Sequence, residues 1–171
     1  MGERLSNLFP LALMVVLAAL TYWLDQVVQK PAAAPNLRSL PERLQALVAR
    51  VEREWDLEVQ MDVDVPPEMA RRFTQDIYHL VREALTNAAR HGFASSATVR
   101  VVADPADGFR VSIVDDGKGF AFSGTYTGEQ LASMGMGPLT LRERVHALNG
   151  SLTLESGPSG ASVHIRLPAV A

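Results

Sequence analysis

The sequence contains no cysteine, and this absence excludes several kinds of chemistry at once. A disulfide, a thiolate metal site and a thiol nucleophile are all ruled out. A large excess of either charge is also missing, because the formal net charge is only −3. Composition therefore gives no electrostatic reason to expect a nucleic-acid partner. Internal repeats are absent as well. A length of 171 residues predicts one ordinary domain and a short additional segment.

Charge is missing altogether from residues 5–24, whose sequence is LSNLFPLALMVVLAALTYWL. At about 1.5 Å per residue, a helix of this length spans roughly the 30 Å of a bilayer core. Tyr22 and Trp23 lie near the end of the stretch, and amphipathic aromatic rings favour the membrane interface. We therefore expect one N-terminal transmembrane helix within a membrane anchor at residues 1–28. A cleaved signal peptide and a buried helix of a soluble protein are the alternatives.

Proline separates this anchor from the rest of the chain. Pro31 and Pro35 flank three alanines, so residues 29–36 are predicted to form a linker. Residues 37–171 form the second predicted domain. This domain alternates between helical spacing, with apolar residues every three or four positions, and strand spacing, with apolar residues at every second position.

Three helices and five strands are predicted in this domain. The helices cover residues 40–55, 67–90 and 139–148, and the strands cover residues 57–63, 97–103, 109–114, 151–155 and 161–167. Residues 119–135 show no clear period, so they are predicted to form a mobile loop or lid. The predicted fold class is α+β, a two-layer α/β sandwich with a mixed, mostly antiparallel sheet covered by helices on one face.

The long predicted helix carries a polar edge beside its apolar face. Glu83 and Asn87 are four positions apart, and Arg90 and His91 follow one turn later. Residues at this spacing share a neighbouring side of a helix. A carboxylate, an amide oxygen and two cation-forming groups therefore mark a candidate site. The plainer interpretation is a solvated helix face on which an arginine pairs with Glu83.

A second polar group, DDGKG at residues 115–119, follows the strand predicted at 109–114. Its two glycines let the backbone approach a ligand closely. Asp115 is an acceptor-only group at the strand end, where it can hold a donor such as an exocyclic amine. An ordinary transition from strand to turn is the plainer interpretation.

A third group, Gly135 and Gly137, precedes the last predicted helix. Free backbone N–H groups and the positive end of the helix dipole suit a phosphate at such a position. On its own, this short glycine motif is a weak signal, and a flexible loop end explains it equally well.

Together, the three groups occur in the order found in one known family. The chain resembles the ATP-binding domain shared by gyrase-type ATPases, MutL-type repair proteins, heat-shock chaperones and histidine kinases. Within that family it is similar to the catalytic domain of sensor histidine kinases whose response regulators are of the NarL/LuxR type. The resembling segments are REALTNAARHG at 82–92, VDDGKGF at 114–120, GMGPLTLRERV at 135–145 and NGSLTLESGPSGASVHIRLP at 149–168. The resemblance covers residues 40–168 and implies the GHKL ATPase fold.

The resemblance also implies a role for each group. Asn87 would bind Mg²⁺, Glu83 would be the catalytic acid–base group, and Asp115 would accept the adenine amino group of ATP. Three side chains are implied on the phosphate side of the nucleotide, and they are Arg90, His91 and Lys118. Four glycines are implied in closing the site around ATP, and they are Gly117, Gly119, Gly135 and Gly137.

A phosphoacceptor histidine is the part of a histidine kinase that the sequence does not show. Such a residue is normally followed by an acidic residue on a long dimerising helix. The four histidines are followed instead by Leu80, Gly92, Ala147 and Ile165. We therefore expect an ATP-binding kinase domain that acts in trans on a separate His-containing dimerisation domain, with a response regulator as partner, or that is inactive. The alternatives are an anti-sigma-type protein serine kinase and a non-enzymatic nucleotide-responsive interaction module.

The use of ATP decides the predicted location of the domain. The charges that flank residues 5–24 are few and nearly balanced, so they specify orientation poorly. A domain that needs ATP must lie in the cytoplasm. The sequence therefore predicts a single-pass protein of the inner, cytoplasmic membrane.

Overall fold

The computed structural model describes residues 39–104 and 108–169. The helices are α1 (Leu40–Trp55), α2 (Pro67–Asn87), α3 (Gly128–Ser133) and α4 (Leu139–Ala147), and the strands are β1 (Glu58–Asp64), β2 (Ser96–Asp104), β3 (Gly108–Asp115), β4 (Gly124–Thr127), β5 (Ser151–Gly157) and β6 (Gly160–Leu167). The transmembrane helix predicted at residues 5–24 and the linker at 29–36 lie outside the described residues. None of the described helices combines the length and the apolar character needed to cross a bilayer.

Helix α1 begins at a capping box. The Ser39 side chain accepts a hydrogen bond from the backbone N–H of Glu42, and the Glu42 carboxylate accepts one from the backbone N–H of Ser39. These two bonds satisfy donors that the first turn of a helix otherwise leaves free. Asp56, in the left-handed conformation, ends the helix. Leu44 and Leu47 lie on the buried side, so α1 packs through one apolar stripe.

Helix α2 is the longest of the described helices, and one apolar stripe of it is buried. The buried side chains are Ala70, Phe73, Ile77, Leu80, Val81, Ala84 and Leu85. The helix was predicted to continue to Arg90, but its α-helical bonds end at Asn87 and a π-helical turn covers Ala88–Gly92. Such turns are rare and often mark functional sites. Phe93, with a φ of 53°, ends the turn.

The strands form one mixed sheet in the order β1-β2-β3-β6-β5-β4. Among the described strands, only the β1–β2 pair is parallel, and the other four pairs are antiparallel. Inward side chains of β2, β3 and β6 are buried under the helices, as the contact between the rings of Phe73 and Phe109 at 4.8 Å illustrates. The predicted mixed, mostly antiparallel sheet with helices on one face is therefore confirmed.

The segment 119–135 is not the irregular loop that the sequence predicted. Residues 124–127 pair with β5 as a sixth strand, and α3 follows directly. Thr127 and Gln130 form a second capping box at the start of α3, and Leu131 is fully buried beneath it. The prediction was wrong because a four-residue strand and a six-residue helix are too short to show a period.

The hydrophobic core of the described residues lies between Leu40 and Leu167, and it includes side chains from all four helices and from every strand except β4. This part of the chain therefore closes its own core. A segment that starts just before α1 is expected to fold independently.

Candidate functional site

A pocket lies beside the end of α2, between the sheet and the start of α4. Its cavity volume is about 40 Å³. Three polar side chains line it, namely Asn87, His91 and Asp115. Much of the remaining wall is small or apolar, with Ile113 of β3 and Val163 of β6 among its members. A pocket with apolar walls and a few convergent polar groups is the usual form of a small-molecule site.

Asn87 occupies the point where α2 gives way to the π-helical turn. Its side-chain Nδ2 atom is buried and has no hydrogen-bond partner among the described residues. An unsatisfied buried donor costs about 1–3 kcal/mol. The Asn87 carboxamide faces the pocket, so a polar ligand there would remove this cost.

Asp115 ends β3 and lines the same pocket. Its Oδ1 atom accepts a hydrogen bond from the backbone N–H of Gly117 at 3.0 Å. Burial raises the pKa of the Asp115 carboxyl, and the N–H groups of Gly117 and Ala161 offset part of this effect. The side chain therefore has further acceptor capacity toward the pocket in a half-buried position.

Gly117 brings the end of β3 into direct contact with the π-helical turn that follows α2. A Cβ atom at this position would lie 2.7 Å from the carbonyl oxygen of Gly92 and 3.0 Å from Asp115 Oδ1. The backbone N–H of Lys118 donates to the same Gly92 carbonyl at 2.9 Å. Only glycine allows this approach, so Gly117 fixes the end of β3 against the π-helical turn.

Asp116 holds the same two segments together from the outside. Its Oδ1 atom accepts hydrogen bonds from the backbone N–H groups of Ser95 at 2.8 Å and Ser96 at 2.9 Å. Its Oδ2 atom accepts a third from Ser96 Oγ at 2.9 Å. These bonds, above all the one from the Ser96 N–H, lower the pKa of the Asp116 carboxyl. Sequence reasoning missed this role, although a second acid after Asp115 and two serines at the start of a strand were visible signals.

The loop after β3 continues the wall of the pocket. Gly119 has a φ of 67°, and Ser156, which is buried, accepts a hydrogen bond from the backbone N–H of Phe120 at 2.8 Å. Phe120 lines the pocket and stacks on Phe122 with ring centroids 5.5 Å apart. Phe120 and Ser156 lie in segments that carry the family resemblance, but sequence reasoning assigned neither of them a role at the site.

The other predicted site residues do not line this pocket. The Arg90 guanidinium lies over the Trp55 ring at 5.6 Å, and the Lys118 ammonium lies over the Phe93 ring at 4.4 Å. The remaining members of the predicted set that stay outside the lining are Glu83, Gly117, Gly135 and Gly137. The structure therefore brings Asn87, His91, Asp115 and Gly119 to one pocket and leaves both longer cations on aromatic rings.

The described residues contain no group of three or more His, Cys, Asp or Glu side chains that could hold a metal ion. Mg²⁺ in nucleotide sites is commonly bound by one or two protein oxygens together with phosphates and waters. The Asn87 carboxamide supplies one such oxygen at the pocket, whereas its unsatisfied Nδ2 atom is a donor that suits a phosphate oxygen.

The fold and the pocket define a class of ATPase, and comparison with known proteins agrees with this class. Residues 73–171 match the family model described as histidine kinase-, DNA gyrase B-, and HSP90-like ATPase, and the chain belongs to this family. Its relatives narrow the class further. The described domain is an ATP-binding catalytic domain of the sensor histidine kinase type.

Two curated relatives illustrate this likeness. The sensor histidine kinase YxjM of Bacillus subtilis is 33% identical over 132 residues, which cover 73% of this chain and 29% of YxjM. The sensor histidine kinase NarS of Mycobacterium tuberculosis is 28% identical over 123 residues, which cover 71% of this chain and 28% of NarS. The chain thus spans less than a third of the length of either relative. Both relatives are sensor kinases, so the serine-kinase and non-enzymatic alternatives are not favoured.

Solved structures show the same fold. The blue-light activated histidine kinase of Erythrobacter litoralis EL346 has a TM-score of 0.57 at 25% identity, covering 78% of this chain and 43% of that protein. The ATP binding domain of PrrB from Mycobacterium tuberculosis has a TM-score of 0.55 at 23% identity, covering 78% of this chain and 96% of that domain. The PrrB likeness shows the fold alone, and it extends over nearly the whole of that domain.

Proposed function

We propose that the domain binds Mg·ATP in the pocket between α2, β3 and α4 and transfers the γ-phosphoryl group to a histidine. One observation supports this proposal above the others. The unsatisfied Asn87 amide and the half-buried Asp115 carboxylate line the same mainly apolar pocket. A nucleotide has the matching chemistry, with a flat base that carries an amino donor at one end and phosphate oxygens at the other.

Asp115 is proposed to accept a hydrogen bond from the adenine amino group. The apolar side chains of Ile113 and Val163 line the same part of the pocket, where a base would leave water. The hydrogen bond from the Gly117 N–H fixes the carboxylate orientation before a ligand arrives. A base without an exocyclic donor would leave the half-buried acceptor unsatisfied, so the site should discriminate against it.

Asn87 is proposed to hold Mg²⁺ through its carboxamide oxygen. When bound, the ion would neutralise charge on the phosphates during transfer. His91, which lines the pocket one turn after Asn87, is proposed on the phosphate side. Arg90 and Lys118 would join it only after leaving the Trp55 and Phe93 rings.

Glu83 is proposed as the acid–base group. It lies one helical turn before Asn87 and outside the pocket lining, where an acceptor imidazole can approach the γ-phosphate. In the proposed step, an imidazole nitrogen forms a bond to the γ-phosphorus, the bond to the bridging oxygen of ADP breaks, and ADP leaves. Glu83 takes the proton that the attacking nitrogen gives up.

The acceptor histidine is proposed to belong to a separate dimerisation domain, and the phosphoryl group to pass on to a response regulator. None of the four histidines in residues 1–171 is followed by an acidic residue, so none of them is proposed as the acceptor. Attachment to the cytoplasmic face of the inner membrane through residues 5–24 is proposed on sequence grounds, because that stretch is uncharged.

Calorimetric titration of Mg·ATP into residues 37–171 tests the site. We expect binding heat from the parent and a loss of most affinity in Asp115→Asn, since the amide presents a donor to the adenine amino group. Asp56→Asn is the matched control, because Asp56 is exposed, lies at the end of α1 and has a left-handed φ that asparagine tolerates. Full affinity in folded Asp115→Asn, or no binding by the folded parent, would overturn the proposed site.

Incubation with γ-labelled ATP and a separately prepared acceptor-histidine domain tests the reaction. We expect acid-labile label on the acceptor, and we expect Glu83→Gln to bind Mg·ATP normally but to transfer at a rate lower by about 10²-fold or more. Acid-stable label on serine would contradict a histidine acceptor. An unchanged transfer rate in Glu83→Gln would remove Glu83 from its proposed role.

A further inference from the structure

The face of the sheet opposite the helices is mainly polar, and nothing in residues 39–104 or 108–169 covers it. Side chains along β2, β3 and β6 alternate between buried apolar residues and exposed or half-exposed, mostly polar residues. The outward side chains lie in rows, because paired residues of neighbouring strands are in register. The outward side chains of β1, β2, β3 and β6 form a surface that we name the open face.

Positive charge is concentrated in the middle of the open face. Arg110 on β3 lies directly opposite Arg166 on β6, and both are exposed. Like charges directly opposite each other destabilise an antiparallel pair. Within the described residues, neither guanidinium forms an ion pair with a carboxylate. His164, which is bonded to Ser112 at 3.1 Å, adds a third cation-forming group.

Negative charge lies along the β1 edge of the same face. Asp62 is in register with Arg100 and forms an ion pair with it at 3.3 Å. Asp64 is in register with Val102 and has no cationic partner in the described part of the chain. The four strands of the open face therefore form a bipolar surface, with an acidic edge on β1 and a basic centre on β3 and β6, and the exposed Glu155 of β5 lies beyond β6 on the same side of the sheet.

This bipolar pattern argues against a partner of uniform charge. An anionic bilayer or a polyanion that approached the two arginines would meet the β1 carboxylates at the same time. A second copy of the chain presents the same pattern in the reverse order when a two-fold axis relates the two copies. Acidic and basic regions then face each other across the contact.

We propose that the open face binds a second copy of this chain, with the two-fold axis parallel to the strands and between β2 and β3. This axis places β1 of one copy over β6 of the other. Asp64 of each copy then faces Arg166 of the other copy, and Asp62 faces His164. Each Arg166 gains a carboxylate partner, which the described residues of its own chain do not supply. The contact leaves the nucleotide pocket free, so it does not depend on the proposed function.

The size of the contact predicts its strength. Four strands about 4.8 Å apart, each contributing about six residues at roughly 3.3 Å per residue, present roughly 400 Å² of projected surface per copy. Stable interfaces bury about 1,200–2,000 Å² in total, so this contact belongs to the weak, transient class. Because charge pairs dominate it, added salt should weaken it.

Sedimentation velocity on nucleotide-free residues 37–171 tests the contact. The average mass of the parent is expected to rise toward that of a dimer with concentration at low salt and to return to that of a monomer at high salt. Arg166→Glu and Asp64→Arg each place like charges opposite one another, so each should raise the dissociation constant about tenfold or more. An equal mixture of the two variants should associate again, because the introduced glutamate meets the introduced arginine and the native pair reforms.

Arg71→Glu is the matched control, since Arg71 is exposed on α2 and its replacement changes the charge by the same amount. This control should associate like the parent, and circular dichroism should show that every variant is folded. A parent that stays monomeric at all concentrations would overturn the proposal, as would single variants that associate normally or a mixture that stays monomeric. Parent that co-sediments with phosphatidylserine vesicles while folded Arg166→Glu does not, without any dimer, would assign the face to anionic lipid instead.

Discussion

Asp115 and Asp116 are neighbours in the chain, but the fold places their carboxylates in opposite environments. Burial raises the pKa of Asp115, so its ionised form is less favourable in the folded state than in the unfolded state. The hydrogen bond from the Ser96 N–H is the main cause that lowers the pKa of Asp116, so its ionised form is favoured by folding. Asp115 is therefore available for a ligand at a cost in stability. Asp116 stabilises the part of the pocket wall that carries Asp115.

Asp115→Asn is expected to unfold at a slightly higher temperature than the parent at neutral pH. A raised pKa means that ionised Asp115 costs stability above that pKa, and the amide removes the charge while its oxygen can still accept from Gly117. The gain should be about 1 kcal/mol or less, because the residue is only half-buried. Thermal unfolding from neutral to acid pH should show the difference shrinking as the parent carboxyl becomes protonated. A variant less stable than the parent at every pH would contradict this account.

Asp116→Ala is expected to destabilise the domain by about 1 kcal/mol, because three hydrogen bonds to one exposed carboxylate are lost. The lowered pKa of Asp116 contributes stability that is present above its unfolded value, and this contribution is lost as the pH falls through the folded pKa. Urea unfolding at neutral and at acid pH measures the effect. The parent and Asp116→Ala should converge at acid pH, and a constant difference would point to packing instead.

At the residue scale, the structure places some of the predicted site residues at the pocket and others outside it. Asn87, His91 and Asp115 are predicted site residues that the structure brings to one pocket. Arg90 and Lys118 were also predicted, but each packs on an aromatic ring. Trp55 and Phe93 are the rings concerned, and the contact with Trp55 depends on how α1 packs beside the end of α2. Such contacts between distant segments are not visible in a local pattern.

At the scale of elements, the segment between β3 and α4 differs most from its prediction. A periodic pattern of apolar residues becomes visible only over several helical turns or strand alternations. Strand β4 has four residues and helix α3 has six, so neither is long enough to show one. Tertiary contacts determine both, since β4 pairs with β5 and Leu131 anchors α3. The longer elements agree with the sequence pattern, because α1, α2 and the strands of the two hairpins each bury a full apolar stripe.

Gly119→Ala is expected to destabilise the domain more than Gly135→Ala. Both glycines have positive φ values, 67° and 64°, so both substitutions carry a similar backbone cost of about 1–2 kcal/mol. A Cβ at Gly119 would also collide with the Gly157 carbonyl oxygen and lie 2.7 Å from Ser156 Oγ, whereas nothing lies within 4 Å of a Cβ at Gly135. Chemical denaturation of both variants measures the extra cost. Equal losses of stability in the two variants would show that the loop at Gly119 accommodates the Cβ atom without an additional cost.

Leu131→Ala is expected to open α3 locally and to leave most of the domain unchanged. Leu131 is the one buried residue of this six-residue helix, and a Cβ atom added at Gly137 would lie 3.2 Å from its side chain. Hydrogen exchange should become faster in residues 128–133 and remain slow in α2. Leu141→Ala is the control, because Leu141 is equally buried in α4 and its loss should cost about 2–5 kcal/mol of global stability. Faster exchange throughout the domain in Leu131→Ala would show that α3 is part of the global cooperative unit.

At the scale of the whole molecule, the class of the fold could be predicted and the strand order could not. The alternating patterns predicted a mixed sheet under helices, which the structure shows. The parallel pairing of β1 with β2, and the insertion of β6 between β3 and β5, bring together segments that are far apart in the chain. Side-chain periodicity identifies which face of a strand is buried, but it contains no information about which strand lies next to it.

The pairing of β3 with β6 determines when the pocket exists during folding. The β2–β3 and β5–β6 hairpins join nearby residues, whereas β3 and β6 meet only after a long loop has closed. Ile113 and Val163, paired across that junction, belong to the pocket wall. A chain that has formed only its hairpins therefore cannot recognise the nucleotide. Saturating ATP should consequently slow the unfolding of the domain and leave its refolding rate unchanged. The bound nucleotide would then lengthen the lifetime of the folded state without accelerating folding.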